Sequence, residues 1–191
     1  MAAGAPQFGH VALLRGVNVG GRNLVRMEAL RQIATDLGLV GARTYLQSGN
    51  LVFLAPDGEG PQAGETLQRA LSDSLGVSVR LIVRTQAGLA AAISANPFGE
   101  IALNDPARLL VVFMNGAPTL EGLPAVRAAA RLGERIDAVG NEVFIHYAGG
   151  AGASRVTAAL IDRSLGAVGT ARNWNTVLAL EALARRMAED A

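Results

Sequence analysis

Two stretches of the chain concentrate side chains suited to holding an anion: LLRGVNVGGRN at 13–23 and TYLQSGN at 44–50. The first supplies Arg15, Asn18 and Asn23 on a frame of Gly16, Gly20 and Gly21; the second supplies Gln47, Ser48 and Asn50. Glycine accepts positive φ and lets the backbone approach a ligand closely, and N–H groups opening a helix near Arg26 favour negative charge. The chemistry this suggests is recognition of a phosphate or carboxylate. The stretch is not a Walker A loop, because Arg22 and Asn23 stand where Lys and Ser or Thr are needed, and it is not the G-x-G-x-x-G dinucleotide fingerprint. The same residue types also suit tight turns in which Asn caps nearby backbone.

A second group lies further along the chain. Gly149, Gly150 and Gly152 lead into Ser154 and Arg155, and Arg172 and Asn173 close a strand just before a helix. Bidentate guanidinium groups again suit phosphate or carboxylate. Ser154 also reads as the N-cap of the helix after it, and Asn173 as the N-cap of the last helix, reaching the N–H of Asn175 or Thr176.

Other chemistries are restricted by composition. The chain has no cysteine, and all 17 basic residues are Arg. Thiol nucleophiles, Schiff bases and a lysine general base are therefore absent. His10 and His146 each fall in a strand without a carboxylate-rich motif beside them, so structural roles are expected for both, with no metal and no cofactor. Ser48 or Ser154 would be the nucleophile of an enzyme. Neither has a base near it in sequence, and although Asp36, Asp137 or a glutamate can arrive in space, nothing selects one, so catalytic residues are unassigned. Trp174, Tyr45 and Tyr147 read as packing residues.

The elements that must position these groups follow from periodicity. HVALLR at 10–15 is a strand, and 26–37 places Met27, Leu30, Ile33, Ala34 and Leu37 at helical spacing. ARTYLQ and LVFLA flank Ser48–Asn50 as a hairpin. PDGEGPQAG at 56–64 reads as a loop, ETLQRALSDSLG as a helix, and VSVRLIV at 77–83 as a strand. A helix over about 86–95 and a linker, NPFGEIALNDPA, come next. The plan then repeats: strand 108–115, helix 119–132, a hairpin turning at Gly140 and Asn141, a helix opening near Ser154, strand 168–173 and a closing helix from Trp174. QSGNLVF and AVGNEVF match at GN and VF, which puts Asn50 and Asn141 at the same place in each half. The order βαββαβ is the ferredoxin-like arrangement. The expected fold is α+β: two tandem ferredoxin-like units with antiparallel sheets, over 1–97 and 98–191, plus a connecting helix and a C-terminal helix. In such a sheet the loop after the first strand and the turn between the second and third share one end. Arg15, Asn18, Asn23, Gln47, Ser48 and Asn50 should converge there. The second unit's cluster lies at the opposite end of its sheet, so head-to-tail packing would bring both to one cleft.

ALLRGVNVGGRN, YLQSGNLVF and TARNWNT resemble the hallmark segments of the bacterial domain-of-unknown-function 1697 family, over about residues 10–183. The resemblance implies a duplicated ferredoxin-like architecture and no established activity. The family pattern often has Ser then Lys where this chain has Ser154 and Arg155, which keeps the charge but not a lysine base.

At 191 residues with a net charge of +1 and mean hydropathy +0.29, the chain shows no stretch of the roughly 20 apolar residues that span a membrane. Residues 1–9 lack a basic stretch followed by an apolar one, and with no cysteine a cytoplasmic location is expected. The expected partner is a small anionic ligand, phosphorylated or nucleotide-like. The alternatives are RNA or single-stranded DNA on the sheet face, or an enzyme of unknown reaction on a phosphorylated substrate. Nucleic acid would need accessible aromatics on the central strands, and the strands offer mainly VALLR and LVFLA.

Overall fold

Four strands are near-continuous apolar runs: β1 (Gln7–Leu14), β3 (Asn50–Pro56), β5 (Leu109–Met114) and β7 (Glu142–His146). Such runs belong to strands covered on both faces. The other strands, β2 (Val40–Thr44), β4 (Leu81–Thr85), β6 (Arg135–Val139) and β8 (Gly169–Asn173), each carry an arginine. The computed structural model, which describes residues 6–20 and 23–191, arranges them accordingly. There are two four-stranded antiparallel sheets, ordered β2-β3-β1-β4 and β6-β7-β5-β8, with the apolar runs central and the arginine-bearing strands at the edges.

The chain divides into two units, Met1–Ala90 with Ala179–Ala191, and Ala91–Leu178. The expected division at 97/98 gave the whole closing helix to the second unit. α7 (Trp174–Glu189) begins among the residues of the second unit and ends among those of the first.

In the first unit, α1 (Met27–Asp36) and α2 (Gly60–Leu75) cover one sheet face. Met27, Leu30, Ala34, Leu67 and Leu71 pack there on Ala12, Leu14, Leu51, Phe53 and Ala55. The opposite face, with Val11, Leu13 and Val52, is also fully buried. The end of α7 lies against it so closely that a Cβ on Gly9 would fall 2.3 Å from the Ala184 carbonyl oxygen. In the second unit, α5 (Leu123–Ala128) and α6 (Ala158–Leu165) bury Leu123, Val126, Ile161 and Leu165 against Val112, Met114, Val143 and Ile145. Leu109, Val111, Phe113 and Phe144 on the other face are fully buried as well. Phe113 and Phe144 are thus inaccessible to a stacking nucleic-acid base.

The remaining helices are α3 (Gln86–Ser94) and α4 (Gly99–Asn104). The latter lies inside what reads in sequence as linker, because a single turn and a half carries too little periodicity to register. Residues 60–64, expected as loop, are the first turns of α2. Pro61 lies in its opening turn, where the missing N–H costs nothing, so the prolines and glycines that suggest a loop here mark a helix start. The helix expected over 119–132 is a 3-10 turn at Leu120–Gly122 followed by α5. Strand register also shifts the internal match: Leu14 N–H donates to the Gly49 carbonyl, as Met114 N–H does to the Asn141 carbonyl. Leu13 pairs with Asn50 where Phe113 pairs with Glu142, so Asn50 corresponds to Glu142 and not to Asn141.

Candidate functional site

At the C-terminal end of β1 the chain enters a loop that reverses through left-handed conformations at Gly16 (φ 65°), Asn18 (φ 56°), Gly20 (φ 58°) and Asn23 (φ 48°). Asn is the side chain best able to tolerate that region, because it can hydrogen-bond local backbone. Asn18 does so in three places. Its Nδ2 donates to the Val25 carbonyl at 2.9 Å and to the Gln47 carbonyl at 2.7 Å, while its Oδ1 accepts the Val25 N–H at 2.9 Å. Across the loop the Asn23 carbonyl accepts from Asn18 N–H at 3.2 Å, and Asn23 Nδ2 donates to the Gly16 carbonyl at 3.3 Å. The loop is thereby closed on itself and bound to the β2–β3 turn.

That turn is built the same way. Asn50, fully buried, donates from Nδ2 to the Tyr45 carbonyl and to Ser48 Oγ, each at 2.9 Å. Gly49 has φ 72°, and a Cβ there would come within 2.4 Å of Val17 Cγ2 and 2.8 Å of Leu14 Cβ. Leu46 also adopts φ 57°, without glycine's freedom or asparagine's hydrogen bonds. For a leucine this conformation costs about 1–2 kcal/mol.

Arg15, Asn18, Asn23, Gln47, Ser48 and Asn50 therefore do share one end of the first sheet, and Gly16 and Gly20 supply the turns. Gly21 lies outside the described residues. The polar atoms divide by role. The Asn18 and Asn23 side chains bond to backbone, and that of Asn50 to the Tyr45 carbonyl and Ser48 Oγ. The guanidinium of Arg26 and the side-chain amide of Gln47 are both exposed and have no hydrogen-bond or ion-pair partner among the described residues. They line a cavity of about 310 Å³ together with Asn18, Leu24 and Val25. Arg26 is also the N-cap residue of α1, with no side-chain cap, so first-turn N–H groups of that helix remain available for an anion. Glu28 occupies the same turn and already complements the helix dipole. Arg80, exposed and distant in sequence, is brought beside Arg15 by the fold, its carbonyl accepting from Arg15 N–H at 2.8 Å. Sequence reasoning placed the helix start near Arg26 but missed Leu24 and Val25 as cavity walls.

The second unit's candidates are structural in their visible contacts. Ser154 does not cap α6: Thr157 does, its Oγ1 accepting from Leu160 N–H. Ser154 Oγ instead donates to Glu134 Oε1 and accepts from Val156 N–H at 3.0 Å. Glu134 Oε2 accepts backbone N–H groups of Arg131 and Leu132 at 2.9 and 2.7 Å. The Ser154 hydroxyl, followed by these backbone donors, holds the Glu134 carboxyl below its ordinary value against a smaller opposing effect of burial. Glu134 thus ties Ser154 to the backbone of the 131–134 turn, and a carboxylate held low in this way is a weak base. Arg155 is exposed. Arg172 is buried beside Thr170 Oγ1 and the Ala171 carbonyl, and burial pushes its guanidinium down to about 10, still charged at neutral pH. Asn173 caps α7, its Oδ1 accepting Thr176 N–H at 2.9 Å. No hydrogen bond joins Ser154 or Arg155 to Arg172 or Asn173 among the described residues.

His10 is fully buried, stacked on Phe53 at 5.5 Å, with Nδ1 donating to the Phe8 carbonyl. His146, by contrast, gains a carboxylate the sequence did not show: its Nε2 is 2.9 Å from Asp105 Oδ2, across 41 residues of chain. Among the described residues no cluster of three or more metal-ligating side chains occurs, and no helix is long and apolar enough to cross a membrane. Trp174 and Tyr147 are buried, and Tyr147 donates to the Val156 carbonyl at 2.8 Å.

Fold and site together define an α+β protein with two four-stranded antiparallel sheets and an Arg/Asn/Gly loop cluster at one end of the first. Residues 9–144 match the family described as "Protein of unknown function (DUF1697)", and the chain belongs to that family. Among solved structures it is similar to a conserved bacterial protein, SP0830 from Streptococcus pneumoniae. That likeness has a TM-score of 0.70 at 23% identity and covers 92% of this chain and 98% of the other, which establishes a shared fold. No curated protein matches the chain at a significant level.

Proposed function

We propose that the loop end of the first unit binds a small anionic ligand, phosphorylated or nucleotide-like. The observation carrying this reading is the cavity where the two motif loops meet, lined by the unpartnered groups of Arg26 and Gln47. The loops around it are fixed in advance by Asn18 and Asn50, so little ordering cost opposes binding. Arg15 and Arg80 add positive charge at the same end of the sheet. We read the two units as ferredoxin-like copies from an internal duplication, supported by the shared strand order and the matching Leu14 and Met114 contacts.

The test is thermal unfolding of wild type and Arg26→Ala with nucleotides, sugar phosphates and short RNAs. A ligand at about 100 times its Kd adds roughly 2.7 kcal/mol, or about 5–10 °C for a chain of this size. A shift from a small phosphate compound that Arg26→Ala abolishes supports the reading. A shift equal in both proteins moves the site elsewhere, and a response to RNA alone favours nucleic acid.

A further inference from the structure

The first-unit cavity has walls of two kinds. Arg26 and Gln47 are polar, Val25 is a buried apolar floor, and Leu24 is an apolar wall left 68% exposed. The two loops also hold Val19 and Leu46 in solvent, 67% and 56% exposed. Three large apolar side chains in water, on loops otherwise made of Gly, Asn, Arg, Gln and Ser, form an unusual concentration for surface turns. Leu46, next to Gln47, holds a left-handed conformation that glycine or asparagine would adopt freely. Strained residues persist where a function uses them.

Inorganic phosphate or a sugar phosphate would engage Arg26 and gain nothing from Leu24. A ligand with a flat apolar face, a hydrogen-bonding edge and a single anionic group would use every wall. We propose that the cavity takes a nucleoside monophosphate: phosphate to Arg26, base edge to the Gln47 amide, base face on Leu24 and Val25. This rests on the reading of the cavity as an anion site. Its volume of about 310 Å³ lies at the lower limit of small-molecule pockets, roughly 300–1,000 Å³, which suits one nucleotide and not a dinucleotide.

The experiment is calorimetric titration of wild type, Leu24→Ser and Arg26→Ala with the four common nucleoside monophosphates, ribose 5-phosphate and inorganic phosphate. Both substituted side chains are exposed, and circular dichroism confirms that each variant is folded. At least one mononucleotide is expected to bind tenfold or more tighter than ribose 5-phosphate. Leu24→Ser should lower that affinity about tenfold while leaving ribose 5-phosphate unchanged, and Arg26→Ala should weaken both. Equal affinity for ribose 5-phosphate and every mononucleotide, or an unchanged preference in Leu24→Ser, overturns the nucleotide assignment and leaves the anion site standing. Absence of binding by all six compounds overturns both.

Discussion

Asn18 is the side chain on which the loop cluster depends, and its contribution separates into two parts that different substitutions remove. It makes three hydrogen bonds, to the Val25 carbonyl, the Gln47 carbonyl and the Val25 N–H, at 2.7–2.9 Å. Its φ of 56° also disfavours any side chain without local hydrogen bonds. At about 1 kcal/mol net for each bond, Asn18→Gly should destabilise the protein by roughly 2–3 kcal/mol. Asn18→Ala loses the same bonds and adds left-handed strain. That strain is about 1–2 kcal/mol, partly offset because alanine has less freedom than glycine to lose on folding, for a total of roughly 3–4 kcal/mol. Urea unfolding followed by far-UV circular dichroism measures both, since the only tryptophan, Trp174, belongs to the second unit. The diagnostic quantity is the order: alanine worse than glycine by about 1 kcal/mol. Two variants within 0.5 kcal/mol of wild type, on the roughly 0.5 kcal/mol scale of ordinary surface changes, would show that Asn18 does not hold the loops. Glycine as damaging as alanine would refute the conformational half of the reasoning.

Gly49→Ala should cost about 3 kcal/mol or more, because a left-handed backbone and contacts of 2.4 and 2.8 Å to Val17 and Leu14 penalise the same methyl group; soluble yield and urea midpoint report it. Gly9→Ala should lower Tm by displacing the end of α7, with faster amide exchange at Leu180–Met187 as its particular signature. Tyr147, buried, is pushed up to about 12 by desolvation and then by the Glu134 charge. Because its folded value exceeds the unfolded one, its contribution is complete below about pH 10 and is lost as pH rises toward 12. Tyr147→Phe should flatten that alkaline decline, as read from unfolding at successive pH values. Ser154→Ala removes the donor that chiefly lowers Glu134, so NMR titration should show this carboxyl moving up toward its ordinary value. Since a depressed carboxyl stabilises above its unfolded value and less as pH falls through the folded one, the variant should lose less stability on acidification.

The central strands were legible in the sequence because burial on both faces writes an unbroken apolar run, as in LVFLA and LLVVFM. The convergence of Asn18 with Gln47 was legible too, since it follows from strand order alone. What escaped was short or distant. Residues 60–64 of α2 hide in proline and glycine that serve a helix start as well as a loop. Asp105 reaches His146 across 41 residues, a meeting that periodicity cannot foresee. Leu24 and Val25 carry no motif, and their place at the cavity depends on the path Asn18 imposes on the loop. The GN match between the halves failed by one residue because identity at a turn does not fix strand register.

The return of α7 to the first unit has a kinetic consequence. On the first sheet's second face Gly9 packs against Ala184, and residues 179–191 follow residue 90 only after the whole second unit has been made. At roughly 5–20 residues per second of synthesis, Gly9 waits about 5–20 s for that partner. A chain cut at residue 178 would lack this contact for good, and its first unit would be left without the end of α7 that belongs to it.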